Sequence, residues 1–356
     1  MRWKREGQDV TNWYLSTFSE LLFEIESHLK SYLGGQPHIA PLFWEMVDYH
    51  FGWDRAGSSG DAPNLGGKRI RPLLLLLVAR AVAGRSNHAL PAALAIEMIH
   101  NFTLIHDDVM DESTERRHRT TLWKRWSTAQ AINAGDGLYA LGMGAMLRLR
   151  RHGVPADKTI AAMDLLLAAC RATVEGQMLD ISFEQRTDVT PDEYLTMIAG
   201  KSGALIEASA RIGALLSSDD PAVIDAYGDF GLSLGLAFQI WDDYLGVWGE
   251  AARMGKSATS DIEGRKKSYP VLLAFQDAPA DVQARLHSIY AQPEIAPADV
   301  EEVYDALEQV DAQQKTRDLI EVNFQRALAA LDSADTDNES QRALRDLALF
   351  LVERAY

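Results

Sequence analysis

Hydrophobic residues recur at helical spacing along nearly the whole chain, and the alternation typical of a β-strand hardly occurs. An amphipathic segment at 12–33 ends at a Gly-Gly pair, and a second helix is predicted at 41–52. The Gly- and Ser-rich stretch at 56–67 is predicted to be a loop. Further helices are predicted at 72–84, 89–111, 127–151, 156–184, 191–217, 221–248, 270–277, 280–291, 297–311, 312–332 and 338–355. The pattern therefore predicts an all-α fold.

A chain of 356 residues is long enough for two domains, but the nearly continuous helical pattern favours one large unit. We predict a single-domain helical bundle, in which facing helices surround a central active-site cavity. Residues 1–60 are expected to add N-terminal helices to this scaffold. The segment 249–269 is rich in Gly, Ser and Lys and is predicted to be a mobile loop that acts as a lid.

Carboxylates and guanidinium groups follow one another in the stretch 97–119, inside and after an apolar helical run. Asp107 and Asp111 are four residues apart, so on a helix they share one face. Mg²⁺ binds such oxygen ligands and keeps water and substrate phosphates in its coordination shell. Arg116 and Arg117 follow, and guanidinium groups suit phosphate. The stretch indicates a site for a metal-bound diphosphate. A solvated helix face with salt bridges between its side chains would have the same sequence pattern.

A second acidic pair, Asp242 and Asp243, ends a long apolar helix. The dipole of a helix favours cations at its C-terminus, so two carboxylates there are poorly placed unless they bind a metal ion. A frayed helix end with two solvated carboxylates is equally compatible with the pattern.

Basic residues gather at the ends of predicted loops. The motif GGKRIRP at 66–72 opens a helix, where free backbone N–H groups favour anions. Lys201 follows a glycine at a helical break, and Lys256 lies in the loop after the second acidic pair. The run at 265–267 is more typical of a solvated surface. Together the basic residues indicate acidic metal sites surrounded by phosphate-binding cations.

The net charge, the cysteine count and the length of the apolar runs limit the possible partners and cellular location of the protein. A net charge of −16 and a pI near 5.0 argue against a nucleic-acid partner. The chain has a single cysteine, Cys170, so no internal disulfide can form, which suits a reducing cytoplasm. The N-terminus lacks the apolar core of a signal peptide, and the longest apolar run, 73–83, is too short to span a bilayer. We therefore predict a cytoplasmic protein without a transmembrane segment.

The motifs, taken in order from Gly66 to Pro270, resemble those of the trans-isoprenyl diphosphate synthases, the polyprenyl synthetases of the farnesyl and geranylgeranyl diphosphate synthase type. They read GGKRIRP, ExxHxxxLIHDDVMD followed by an Arg pair, EGQ, GKS, FQIWDD and GKSxxxD. The resemblance implies the isoprenoid synthase fold, a homodimer, and a prenyltransferase that uses three Mg²⁺ ions. The implied reaction is the head-to-tail condensation of isopentenyl diphosphate with an allylic diphosphate.

The resemblance also implies roles for individual residues. The metal ligands would be Asp107, Asp108, Asp111 and Asp242. The allylic diphosphate would be bound by Arg116, Lys201 and Lys256, and isopentenyl diphosphate by Lys68, Arg71, His100 and Arg117. Ser202 and Gln239 would line the path of the carbocation. Asp107, Asp111, Asp242, Lys201 and Gln239 would form the catalytic set.

Two positions depart from the family pattern. Gly246 stands where the second acidic motif usually has its last Asp, and Asp243, Glu250 or Asp261 are candidates to compensate through water. After the Arg pair, the sequence at 118–120 replaces the common Gly-x-Pro. The first departure bears on turnover, and the second has little expected effect.

Product length in this family depends on residues just before the first acidic motif. Phe102 and Thr103 lie five and four positions before Asp107, a combination that resembles the geranylgeranyl-forming class. Farnesyl diphosphate is the alternative product, because one or two methylenes of pocket space change binding by only about 1–3 kcal/mol. A class I terpene cyclase on the same scaffold and a non-catalytic regulatory subunit remain as other functions.

Overall fold

The structure, a computed structural model, describes residues 10–54, 67–249 and 260–352. Its α-helices are α1 Val10–Thr17, α2 Ser19–Gly34, α3 Pro41–Phe51, α4 Ile70–Ala83, α5 Leu90–Met110, α6 Leu122–Arg125, α7 Thr128–Leu147, α8 Ala156–Gln185, α9 Pro191–Ile198, α10 Ala204–Leu215, α11 Pro221–Trp248, α12 Ser260–Glu263, α13 Tyr269–Asp277, α14 Ala280–Tyr290, α15 Pro297–Gln309, α16 Ala312–Ser333 and α17 Glu339–Val352. Two 3₁₀ turns, Asn87–Ala89 and Arg148–His152, and a π-helical turn, Ala199–Gly203, join some of them. Strands β1 Glu115–Arg116 and β2 Arg119–Thr120 form a small hairpin. The all-α prediction is confirmed.

The structure differs from the predicted helix pattern at four places. The segment 12–33 is divided at Phe18, whose backbone is not helical and whose ring packs on Trp13 and Tyr14. The segment 191–217 contains the π-helical turn, and the hairpin was not predicted. Of the loop predicted at 249–269, residues 250–259 lie outside the described part, and α12 is helical.

The chain folds into two compact units. Unit 1 comprises Met1–Leu167, Ser209–Ile224 and Asn338–Gln341, and unit 2 comprises Ala168–Ala208, Asp225–Asp337 and Arg342–Tyr356. In unit 1, α5 packs along α7 and against α4, and residues 72–79 of α4 are all buried. In unit 2, the core involves α13, α15 and α16, with Val271, Leu273 and Val303 among its buried side chains. Each unit thus has its own apolar core, on which one acidic motif is built.

Candidate active site

The first acidic motif ends α5 in unit 1. Asp107 is half-buried and Asp111, the residue that caps the helix, is exposed, and the Asp111 N–H donates to the Asp107 carbonyl oxygen at 2.8 Å. His100 lies seven residues before Asp107, about 10 Å along the helix axis and on the same face. One face of α5 therefore carries the predicted histidine and both predicted carboxylates.

Asp108 is placed differently from its neighbours in the motif. It is 3% exposed, and Arg116 Nε donates to its Oδ1 at 2.7 Å. Burial raises the pKa of Asp108, and the Arg116 guanidinium opposes this shift. Asp108 thus holds Arg116 through an internal ion pair, while its assignment as a metal ligand stays a prediction.

The hairpin after α5 presents the Arg pair. Arg117 and His118 form its two-residue turn with φ of 54° and 58°, the left-handed geometry that suits a tight hairpin. His118 thus occupies the turn in which the family commonly has glycine. Such backbone strain costs of the order of 1–3 kcal/mol per residue and is typical of functional sites. The side chain of Arg119 secures the hairpin, because it pairs with Asp54 at 2.8 Å and stacks on Tyr49.

The GGKRIRP motif is anchored by its middle cation. Arg69 is 2% exposed and forms ion pairs with Glu26 at 3.1 Å and Glu97 at 2.9 Å. Tyr14 donates a hydrogen bond to the backbone oxygen of Lys68. Removing one partner of such a buried pair typically costs about 3–5 kcal/mol. Arg69 is therefore structural, whereas the sequence pattern had grouped it with the phosphate-binding cations.

Three residues predicted to bind isopentenyl diphosphate meet in unit 1. Arg71 Nη1 lies 3.1 Å from His100 Nε2. Burial and the nearby Arg71 charge hold the pKa of His100 well below its usual value, so the ring is neutral and Nε2 accepts the hydrogen bond. The guanidinium of Arg117 packs against the backbone of Gly67, within 2.7 Å of the position a Cβ would take there. Lys68, the fourth residue of the set, is exposed at the next position along the chain.

Both guanidinium groups of this cluster have lowered pKa values. Burial lowers the pKa of Arg71 to about 10. Burial and then the Arg69 charge lower the pKa of Arg117 to about 10. Within the described part of the chain, neither side chain forms an ion pair with a carboxylate. Two guanidinium groups without a carboxylate partner, brought together in this way, favour an anionic ligand.

The predicted product-length residues also lie in unit 1. The Phe102 ring is half-buried, 4.9 Å from the ring of His106 and 5.5 Å from that of Tyr139 on α7. Thr103 is buried, and its hydroxyl donates to the His100 carbonyl oxygen at 2.8 Å. Phe102 is therefore the larger and more accessible side chain of the two.

In unit 2, the π-helical turn positions Lys201 and Ser202. A Cβ at Gly176, the glycine of the EGQ motif, would lie 2.3 Å from the Lys201 backbone nitrogen, so only glycine allows α8 this close to the turn. Lys201 Nζ pairs with Asp180 of α8. Asp180 was not predicted as a site residue, and its only sequence signal is its position three residues after the EGQ motif.

The second acidic motif has one exposed and one buried carboxylate. Asp242 is exposed, whereas Asp243 is 0% exposed and accepts three hydrogen bonds. The donors are Lys266 Nζ at 2.5 Å, Gln239 Nε2 at 3.1 Å and the Tyr194 hydroxyl. Burial alone would lower the pKa of Lys266, but the Asp243 and Asp261 carboxylates raise it above its ordinary value.

Tyr194 and Lys266 are residues of this site that sequence reasoning missed. Lys266 belongs to the basic run that was expected to be solvated, and its partner lies 23 residues earlier in the chain. Ser202 and Gln239, by contrast, were predicted together, and Ser202 Oγ donates to Gln239 Oε1 at 2.6 Å. Lys256 and Glu250 lie outside the described residues.

At Gly246, where the sequence departs from the family pattern, another side chain occupies the space that a larger residue would need. A Cβ at this position would lie 2.4 Å from Cγ of Asp261, so the Asp261 carboxyl group takes up the space of the missing side chain. Gly246 is four residues after Asp242 and shares its helix face. The Asp261 carboxylate therefore lies beside the same face of α11 that carries Asp242.

The donor groups suit a hard divalent cation. The candidate ligands offer carboxylate oxygens only, which Mg²⁺ prefers. In residues 10–54, 67–249 and 260–352, no three His, Cys, Asp or Glu side chains form a closed metal cage. Mg²⁺ is usually held by one or two carboxylates and completed by water and substrate phosphates, so the two open carboxylate sites fit it.

Comparison with known proteins identifies the family. Residues 59–307 match the sequence model of the polyprenyl synthetases. A (2E,6E)-farnesyl diphosphate synthase of Mycobacterium tuberculosis H37Rv is 42% identical over 236 residues, which are 66% of this chain and 63% of that protein. The chain thus spans less than two thirds of that relative.

Solved structures agree with the sequence match. A geranylgeranyl pyrophosphate synthetase from Pyrococcus horikoshii superposes with a TM-score of 0.85 at 30% identity, over 97% of this chain and all of that one. A polyprenyl synthase from Caulobacter crescentus, solved with calcium and isoprenyl diphosphate, has a TM-score of 0.78 at 28% identity, over 99% of this chain and 100% of that chain.

In the described part of the chain, no helix is both long and apolar enough to cross a membrane. The chain belongs to the polyprenyl synthetase family, whose members have the all-α isoprenoid synthase fold and generally use divalent metal ions.

Proposed function

We propose that the protein is a prenyltransferase that condenses isopentenyl diphosphate with an allylic diphosphate and releases diphosphate. The observation that carries this proposal is the cluster of Arg71, His100 and Arg117, in which His100 lies on the same face of α5 as Asp107. A cluster of cations beside a pair of carboxylates provides one site for a free diphosphate and one for a metal-bound diphosphate. A terpene cyclase would need only the second.

We assign the metal to the more accessible carboxylates of the two motifs. Asp107 and Asp111 would hold two Mg²⁺ ions and Asp242 a third. These ions would neutralise the negative charge that develops on the leaving diphosphate. Arg116, Lys201 and Lys256 would bind the same diphosphate and supply further positive charge.

The chain's own side chains then orient the second substrate. Arg71, His100, Arg117 and Lys68 would hold the isopentenyl diphosphate, so that its double bond lies against the allylic carbon. The allylic C–O bond breaks, the double bond attacks the cation to form the new C–C bond, and one proton leaves. The released diphosphate accepts that proton, so no side-chain base is required. The Ser202–Gln239 pair offers oxygen dipoles to the cation.

One assay tests the proposal. Purified protein is incubated with Mg²⁺, labelled isopentenyl diphosphate and one allylic diphosphate at a time, and the dephosphorylated products are analysed. Chain-extended alcohols that disappear with EDTA are expected. Cyclic hydrocarbons would indicate a cyclase instead, and no product with any primer would indicate a non-catalytic subunit.

A matched pair of variants tests the cationic cluster. Arg71→Met should raise the KM for isopentenyl diphosphate about 10- to 100-fold and leave the KM for the allylic substrate unchanged, because a charged hydrogen bond contributes about 1.5–3 kcal/mol. Arg80→Met is the control, since Arg80 lies on the same helix but pairs with Glu20 and Glu24. Equal effects of the two variants would contradict the assignment.

We further propose geranylgeranyl diphosphate as the main product, with Phe102 and Thr103 below the growing chain. Farnesyl diphosphate is the alternative, and the name of the Mycobacterium relative supports it. The match over 59–307 draws on both compact units, which supports one synthase domain. We also propose a cytoplasmic location.

A homodimer is supported by α8. Large apolar side chains recur along this helix at heptad-like spacing and remain exposed: Ile160 at 60%, Leu167 at 39%, Val174 at 46%, Met178 at 66% and Ile181 at 39%. An apolar stripe on a single helix is typical of a subunit interface. The double variant Val174→Lys/Met178→Lys is expected to sediment as a monomer, and an unchanged sedimentation coefficient would contradict the proposal.

A further inference from the structure

The buried carboxylate of Asp243 links four other side chains of unit 2. Its Oδ1 accepts from Lys266 Nζ at 2.5 Å and from Gln239 Nε2 at 3.1 Å, and its Oδ2 accepts from Tyr194. Gln239 in turn accepts from Ser202 through Oε1. A carboxylate that is 0% exposed and accepts from three protein donors has little capacity left for a metal ion. Its partners are therefore groups of the protein itself.

The network determines which end of the Gln239 amide faces Ser202. An amide has a donor end and an acceptor end, and an ionised carboxylate can only accept. Nε2 must therefore face Asp243, and Oε1 must face Ser202.

We propose that Lys266 is a positioning residue for the condensation: its ammonium holds the Asp243 carboxylate in place through an ion pair, and Asp243, by accepting from Gln239 Nε2, fixes the Gln239 amide with its oxygen toward Ser202 and the reacting cation. The inference rests on the proposed function. Lys266 Nζ also lies 3.4 Å from Asp261 Oδ2, so its charge is shared between two carboxylates. Because an oxygen dipole stabilises a carbocation and an N–H group does not, the orientation of this amide affects the transition state more than substrate binding.

The test is a double-mutant cycle between Lys266 and Gln239, measured under single-turnover conditions so that chemistry is observed directly. Lys266→Met and Gln239→Leu should each lower the rate of C–C bond formation about 10- to 100-fold, with the KM of both substrates changed less than about threefold. The double variant should be no slower than Gln239→Leu alone, and Lys266→Arg should retain most of the rate. Additive losses would overturn the proposal.

Two further variants separate positioning from folding. Lys267→Met is the matched control, because the adjacent Lys267 donates to the backbone oxygens of Phe183 and Glu184 instead, and it should retain the wild-type rate. Asp243→Asn/Lys266→Met removes both charges together, so its thermal midpoint should approach that of wild type while its rate stays at least about tenfold lower. If this double variant recovered the full rate, the loss in Lys266→Met would be due only to the unpaired charge of Asp243, and the positioning role would be wrong.

A readout without substrate distinguishes this inference from the proposed function. In protein labelled with ¹⁵N at glutamine side chains, the resonance lost in Gln239→Leu identifies the amide that donates to Asp243. That resonance should shift in Lys266→Met and stay in place in Lys267→Met. An inactive wild-type protein that shows this shift would refute the condensation and leave the orientation of Gln239 established, whereas an unmoved resonance would refute the positioning role.

Discussion

The two acidic motifs, one in each compact unit, use their paired carboxylates in the same way. In both, the first aspartate is the more accessible, and the second is buried in an ion pair with a later basic residue. Asp108 is 3% exposed and pairs with Arg116 at 2.7 Å, and Asp243 is 0% exposed and pairs with Lys266 at 2.5 Å. Each doubled aspartate therefore combines one more accessible carboxylate with one buried carboxylate that holds a cation in place.

The motifs differ at their last position. In unit 1, Asp111 supplies a carboxylate from α5 itself. In unit 2, Gly246 supplies none, and the carboxyl group of Asp261 takes up the vacant space from the segment beyond α11. The space that a side chain at the last motif position would fill in unit 2 is therefore occupied by a carboxyl group from another part of the chain.

The largest effect is expected when the first, more accessible aspartate of either motif is removed. Asp107→Ala and Asp242→Ala should each lower kcat at least about 100-fold, because charge on the leaving diphosphate would lose its compensation. Their thermal midpoints should stay close to that of wild type, since neither side chain is buried. Steady-state kinetics and thermal unfolding measure the two quantities. Turnover equal to that of wild type in either variant would show that the metal assignment is wrong.

The buried aspartates should behave in the opposite way. Asp243→Ala should lower the free energy of unfolding by about 3–5 kcal/mol, because it leaves Lys266 without its main partner. Asp108→Ala should cost less, about 1–3 kcal/mol, since the side chain of Arg116 is 31% exposed. Urea denaturation measures both, with Asp107→Ala as the control on the same helix. If Asp243→Ala were as stable as Asp242→Ala, the second aspartate of the unit 2 motif would not have the stabilising role proposed for it.

A smaller effect is expected at the position where the motifs differ. Gly246→Ala should destabilise by about 1–3 kcal/mol, because the new methyl group overlaps the Asp261 carboxyl group. Combining it with Asp261→Gly should cost less than the sum of the two single losses, because the overlap is relieved once the carboxyl group is absent. Gly34→Ala, at a helix end with no heavy atom within 4 Å of the new Cβ, is the control and should not destabilise. Additive losses in the double variant would argue against the overlap.

The smallest free-energy change concerns product length. Phe102→Ala should shift the products toward longer chains, because it removes an aromatic ring packed beside Tyr139. The expected change in selectivity is about 10- to 200-fold, which corresponds to about 1–3 kcal/mol of pocket contacts. Chromatography of the dephosphorylated alcohols measures it, with Thr103→Ser as a conservative control. If Phe102→Ala made the same products as wild type, Phe102 would not be a determinant of product length.

The sequence predicted those features whose signal is local. Helical periodicity located nearly every helix, and the ordered motifs brought Arg71 and His100 into one hypothesis before any contact was known. The GGKRIRP motif, however, does not indicate which of its basic residues is buried, and Arg69 faces the core between two glutamates. Lys266 was misjudged for the same reason. Burial and long-range pairing depend on partners that are distant in the chain, so periodicity and motif spacing carry no record of them.

The π-helical turn at Ala199–Gly203 has a consequence for changes of chain length. A π turn holds one residue more than the α-helical turn it replaces, and each helical residue advances the helix by about 100°. Deleting a single residue there would remove no loop, yet it would turn the ammonium of Lys201 away from Asp180 and the hydroxyl of Ser202 away from Gln239. One residue of surplus length thus sets the direction of two side chains.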